Sequence, residues 1–227
     1  MNLLRAEREC FTKDTYAIFK KHLDNAKKER DILKFLNENV YLFNILDHAW
    51  NGKHGRENFR FGSDYIADFI IMSAHSGSWI IRLIEAQSPT DTIYTKKYEE
   101  TQGLREARRQ IAEWKIWIAN NPLQFRQALA SVVDDNTPSY CSNASLHQCA
   151  KTELLDLNTP VEIRYSVLIG RRESRDEKKN QLALQNTDFS IMTYDRLLDR
   201  AEKMRDAILE LEAWQARAEI KVRPTNA

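Results

Sequence analysis

Asp68, Glu85 and Gln87 are the residues of this 227-residue chain whose types and spacing could do chemistry. Two carboxylates converging from neighbouring segments make a hard, oxygen-rich site suited to Mg²⁺ or Mn²⁺, which favour oxygen ligands and, for Mg²⁺, keep several waters. A cation held in this way can promote attack on a phosphodiester. Glu85 and Gln87 stand two positions apart, so on a strand they point to the same face and put an amide beside the carboxylate. Gln110 is a further polar group of interest, carried on the flank of a regular helical pattern.

The elements that must position these residues are legible from periodicity. Residues 66–72 and 79–87 are apolar and rich in β-branched side chains, with His75, Ser76, Gly77 and Ser78 between them, which predicts a buried hairpin. A short strand is expected at 59–61, preceded by a loop at 51–56 marked by glycines and charges. Leu104, Ala107, Ile111, Trp114 and Ile118 recur at steps of three and four and predict a helix over 103–120, which Asn120, Asn121 and Pro122 end. Another helical stripe, Ile32, Leu33, Phe35 and Leu36, precedes the hairpin.

Beyond the central helix the pattern thins into a loop-rich insertion at 131–160. Strands are expected at 161–170 and 189–193, with a charged loop or helix at 171–179 between them. A long helix then starts at Tyr194, with Leu197, Leu198, Ala201, Met204, Ile208, Leu211 and Trp214 along its stripe. A helix crossing between strands makes part of the sheet parallel, so the class is α/β. The division expected is a helical extension at 1–28 with Phe11, Tyr16 and Phe19 as anchors on the periphery, one domain at 29–220, and a frayed tail at 221–227.

Lys and Arg number 34 against 33 Asp and Glu, a net charge of +1, so no global basic field is present and any nucleic-acid groove has to be local. No stretch approaches the roughly 20 apolar residues of a membrane span and no apolar leader follows a basic start, so the expected setting is cytoplasmic, with no membrane partner. The three cysteines suit reduced thiols. Cys141, His147 and Cys149 have the atoms of a zinc site but offer three ligands without CxxC spacing, and read as ordinary residues.

The flanks sharpen the reading. The runs YIADFII, IRLIEAQSPT, EARRQIAEWKIWIANN, YSVLIGRR and TYDRLLDRAE resemble the nuclease domain of the Shedu anti-phage defence family, over about residues 33–201. The Gln110-x-x-x-Trp114 helix and Leu168-Ile169-Gly170-Arg171-Arg172 are the most specific parts. The resemblance implies a restriction-endonuclease-like, PD-(D/E)xK mixed sheet flanked by helices, and a Mg²⁺- or Mn²⁺-dependent DNA endonuclease. It makes Asp68 and Glu85 the metal pair and Gln110 the helix glutamine near the site.

Gln87 stands where the general motif has Lys, a cation that would offset transition-state charge. Lys96 or Lys97 is a candidate substitute, Glu38 a candidate helix carboxylate, and Arg171 and Arg172 candidate phosphate contacts. The alternative is a catalytically weak or inactive DNA-binding or sensor module on the same scaffold. A homo-oligomer is expected from the long last helix. The scant room for a sensing region leaves regulation to the first 28 residues or to a host or phage-derived partner.

Overall fold

The computed structural model describes residues 14–45, 53–75, 77–134, 147–172 and 177–222. Cys10, Phe11, the start of the N-terminal extension, Asn51 and Gly52 of the expected loop, the middle of the 131–160 insertion with Cys141, and residues 223–227 lie outside them. The side chains of His147 and Cys149 do too.

Five strands form one mixed sheet in the order β1-β2-β3-β4-β5. Strands β2 (Tyr65–His75) and β3 (Ser78–Ala86) make the expected hairpin, and β1 (Lys53–Phe61) pairs antiparallel with β2 at one edge. Strands β4 (Val161–Leu168) and β5 (Ser190–Met192) continue the sheet in parallel with β3. The architecture is thus the α/β class expected, with a mixed central sheet, flanking helices and a long C-terminal helix.

Two cores sandwich the sheet. On one face lie α3 (Gln102–Asn120), α4 (Pro122–Asp134) and α5 (His147–Leu155), with Phe59, Phe61, Trp114 and Phe125 buried together. All five positions of the predicted α3 stripe are buried. The alternation read in β4 also holds, since Val161, Ile163, Tyr165, Val167 and Ile169 all pack on this core. The short helix α6 (Glu177–Gln185) follows the charged run and rests Leu182 and Ala183 on the same side.

The other face is covered by α1 (Thr15–Asn25), α2 (Glu29–Glu38), a 3₁₀ turn (Val40–Ile45) and the start of α7 (Tyr194–Val222). Helix α1 is not peripheral: Phe19 and Leu23 are buried against α2 and α7 residues, and Phe19 stacks on Phe35. Helix α7 starts buried at Tyr194, Leu197, Leu198 and Ala201, thins at Met204 and Ile208, and leaves Leu209 43% and Trp214 66% exposed.

Two expectations give way here. The loop at 51–56 is strand from Lys53 onward, because pairing with Ser73 through Ile70 outweighs the local glycine and charges; the exposed Arg60, between the buried Phe59 and Phe61, suits an edge strand with one face to water. The insertion at 131–160 begins as the end of α4 and resumes as α5, held by Ala150 and Leu154, four residues apart and both buried. Pro122 ends α3 and also opens α4, the first helical position being where its missing N–H costs nothing.

Strict alternation breaks at one place in β1 and β2. Ala67 packs on the α3 side and Phe69 on the Phe43 side, although residues two apart on a regular strand share a face. The register brackets Asn58 and Asp68 at this point, between the pairs Glu57–Phe69 and Phe59–Ala67. Asn58 has φ 49°, a left-handed conformation that asparagine tolerates better than most residues. Both strands therefore turn over at Asp68.

Candidate active site

The β2–β3 ladder ends with the rungs Ile70–Leu83 and Phe69–Ile84, so the same register brings Asp68 opposite Glu85. There the strands stop exchanging regular bonds. Instead Asp68 Oδ2 accepts the Ala86 N–H at 2.7 Å, which fixes the carboxylate across the mouth of a fork. Glu85 is only 6% exposed. Its Oε1 accepts a long 3.4 Å bond from the Gln87 amide, in keeping with both side chains sharing a face, and its Oε2 has no partner among the described residues.

A buried carboxylate without a cation is expensive to ionise. Burial, then the charges of Asp68 and Glu29, push Glu85 up to about 9, with the Gln87 amide acting weakly the other way. Burial raises Asp68 as well, opposed by its bond from Ala86.

Three elements close on the fork from their N-terminal ends. Glu29 is the first residue of α2, half-buried, its pKa raised by burial and then by Asp68 and Asp91. The helix start is set by Asp31, whose Oδ2 accepts the Lys27 and Lys28 N–H groups at 3.1 and 3.0 Å, a carboxylate reaching back over the first turn. Helix α3 comes in with a bare second residue: a β-carbon at Gly103 would lie 2.8 Å from Asp91 Oδ2 and 3.2 Å from Gln87 Oε1. Tyr194, the first residue of α7 and fully buried, donates its hydroxyl to the Gln87 carbonyl at 2.8 Å. Burial and then the charges of Glu29, Asp68 and Asp91 raise its pKa.

The backbone of Gln87 is pinned from the other side too, its N–H donating to the Leu168 carbonyl at 2.8 Å. The turn after it carries Asp91, raised by burial and Glu106. This turn packs so closely on the end of β4 that a β-carbon at Gly170, φ 64°, would fall 2.2 Å from the Asp91 carbonyl oxygen. The fork thus sits at the carboxyl ends of the parallel strands, where α/β sheets place their ligands.

Asp68, Glu85 and Gln87 come together as read. Gln110 is half-buried on the same stripe of α3 as Gly103, two turns and about 10 Å further along the axis, and makes no hydrogen bond to the carboxylates among the described residues. The helix carboxylate coupled to the pair is Glu29 at the start of α2, while Glu38 lies exposed at its far end. Arg171 is bonded to Asp195 at 2.8–2.9 Å and to Asp24 at 3.2 Å, and Arg172 to Asp199, so both are already engaged. Lys96 and Lys97 are exposed on the connector between β3 and α3, without an ion pair among the described residues.

Glu29, Asp91 and Tyr194 escaped the sequence reading. An acidic residue in a first helical turn is common enough to hide Glu29, and Tyr194 reads as the opening of an apolar stripe. Only the turn Ser88-Pro89-Thr90-Asp91, closing the strand that carries Glu85, offered a signal for Asp91.

Among the described residues no three His, Cys, Asp or Glu side chains form a ready cage for a metal ion. No helix is long and apolar enough to cross a membrane, again among the described residues. Residues 26–198, which carry the whole fork, match the family described as Shedu protein SduA, C-terminal. No curated protein matches the chain.

Proposed function

The chain belongs to the Shedu family, which points to anti-phage defence, and from that premise we propose that it is a divalent-metal-dependent endonuclease that hydrolyses DNA phosphodiester bonds. One observation carries the reading: Asp68 and Glu85 oppose each other at the carboxyl ends of the parallel strands, and the buried Glu85 Oε2 has no partner among the described residues. An orphaned carboxylate oxygen in a fork of acidic groups fits a hard cation. Asp68 and Glu85 would hold Mg²⁺ or Mn²⁺, with Glu29 adding negative charge. Two protein carboxylates suffice for Mg²⁺, which takes its other ligands from water and substrate phosphate.

When bound there, the cation supplies Lewis acidity and counter-charge at the phosphate. The protein's own groups do the rest. Glu85 has to give up its proton to act as a ligand, and Asp68 is kept in place by the Ala86 N–H. Gln87, with its backbone held by Leu168 and Tyr194, offers an amide that can donate to a phosphate oxygen or orient the attacking water. Gln110 lies on the α3 face that meets the fork at Gly103 and is assigned to substrate positioning.

Gln87 also favours a second reading. An amide has no charge to set against the developing negative charge, and a slow or inactive fork would serve as a DNA-binding or sensor module. Incubation of purified protein with supercoiled plasmid in Mg²⁺, Mn²⁺ or EDTA separates the two. The endonuclease reading expects nicks with metal and none with EDTA. Asp68→Asn keeps an acceptor for the Ala86 N–H while removing the charge, and should lose at least about 100-fold in rate. Cleavage by Asp68→Asn at the wild-type rate would sink the site, and plasmid binding without cleavage under either metal would establish the second reading.

A further inference from the structure

The fork presents four carboxylates, Glu29, Asp68, Glu85 and Asp91, and none is ion-paired among the described residues. A DNA strand brought to it meets like charge. One divalent cation offsets only part of that, so positive groups outside the fork must hold the flanking phosphates. The chain's net charge of +1 cannot do this at long range.

The arginines at the end of β4 are poorly placed for the task. Arg171 is committed to Asp195 and Asp24, and Arg172 to Asp199, so a phosphate would have to displace a carboxylate at each. Lys27 and Lys28 differ. They form the connector between α1 and α2, immediately before Glu29, and both are exposed with no ion pair among the described residues. Their backbone is fixed: the two N–H groups are held by Asp31 and the Lys27 carbonyl accepts from Thr90 Oγ1 at 3.3 Å. Thr90 belongs to the turn that leaves β3 just after Gln87. The connector is therefore tied at one end to a fork carboxylate and across to the catalytic strand's own turn.

We infer that Lys27 and Lys28 form a phosphate-binding rim, which contacts the DNA backbone on the Glu29 side of the fork without reading sequence. This rests on the reading of DNA as substrate. Lysine carries its charge on a flexible four-carbon stem, so two adjacent lysines can reach two neighbouring phosphates of one strand. Such contacts position the duplex and carry no base specificity.

The test is the salt dependence of DNA binding, which a merely structural role would not alter. Affinity of a fluorescent duplex is measured by anisotropy in EDTA, so that no cleavage occurs, from about 50 to 200 mM KCl, for wild type, Lys27→Gln/Lys28→Gln and Lys96→Gln/Lys97→Gln. Each lost phosphate contact lowers the slope of log K against log salt by about 0.9. The Lys27/Lys28 variant should therefore be shallower by about 1.8, losing about 12-fold less affinity than wild type over that fourfold rise in salt, with unchanged thermal unfolding. An unchanged slope overturns the rim even if the protein binds and cuts DNA. A slope lowered only by the Lys96/Lys97 pair overturns it in favour of the other connector. Wild type that fails to bind duplex at the lowest salt, both in EDTA and with Ca²⁺ in place of Mg²⁺, removes the DNA reading itself, and the rim with it, an outcome distinct from the first because no slope then exists; binding only with Ca²⁺ moves the same slope comparison to that buffer.

Discussion

Replacing Glu85 with glutamine should make the metal-free protein more stable at neutral and alkaline pH. The carboxyl is raised from 4.5 to about 9 by burial and then by Asp68 and Glu29. Folded protein thus holds this proton where unfolded protein has released it. Its contribution is fully present below about pH 4.5 and is lost progressively as pH rises toward 9. At about 1.36 kcal/mol per unit, ionising the unfolded chain costs the fold about 3 kcal/mol by pH 7 and about 6 by pH 9. The amide of Glu85→Gln would be a neutral mimic of the protonated acid, keep the contact with Gln87, and carry none of this slope. Asp68 and Glu29 are raised too and tilt both proteins the same way, so the difference between the two profiles is the quantity to read. Urea unfolding at half-unit steps from about pH 4.5 to 9.5 supplies it. The profiles should coincide near pH 4.5 and diverge upward, with the variant ahead. Mg²⁺ at 100 times its dissociation constant should return about 2.7 kcal/mol to wild type at pH 8 and much less to the variant. Parallel profiles for the two proteins would refute the claim that Glu85 is a strained acid waiting for a cation.

Three further outcomes can be checked on the same preparations. Gln87→Lys should preserve or raise the nicking rate, since a cation at this point stabilises developing charge; a folded variant that no longer cuts shows instead that the amide's hydrogen bonding is required. Glu29→Gln should raise the Mg²⁺ concentration needed for half-maximal nicking by roughly 10-fold or more, whereas Glu38→Gln, at the exposed end of the same helix, should match wild type in a metal titration. The outer part of α7, with Leu209 and Trp214 exposed, is proposed to join copies of the chain, so light scattering at micromolar concentration should give an oligomer mass that falls in Ile208→Glu/Trp214→Glu; a monomer mass for the intact chain discards that proposal.

The hairpin, the α3 stripe and the β4 alternation were legible because each is a run of apolar side chains at a single period, and burial on one face is what such a run encodes. Asp68 and Glu85 stood out against that background as charges where charge is costly. Other features depend on partners remote in sequence. Lys53 to Arg56 look like loop until β2 is beside them, and Ala150 and Leu154 look like an interruption until α4 supplies something to pack on. Glu29 and Glu38 are equally plausible ends of one helix, and only the direction in which α2 enters the sheet decides between them. Arg171 and Arg172 have the right chemistry for phosphate, yet Asp195 and Asp199, in the first turns of the next helix, take them first. Strict alternation would also have put Ala67 and Phe69 on one face; the turn-over at Asn58 and Asp68 prevents this, and a single asparagine in a charged stretch gives little warning of it.

The bond from Tyr194 to the Gln87 carbonyl spans 107 residues, and it has a consequence for protein synthesis. Translation proceeds at roughly 5–20 residues per second, so the ribosome needs on the order of 5–20 s after Gln87 to deliver the tyrosine, and longer for it to clear the exit tunnel. Throughout that interval α7 does not exist, β5 and with it the outer neighbour of β4 is missing until its last few residues, and Gln87 has no brace on its carbonyl side. The nascent chain already carries Glu29, Asp68 and Glu85 but not the tyrosine that braces the next residues of their strand. Whatever the finished site does, it becomes competent only after Tyr194 has been made, long after its carboxylates have.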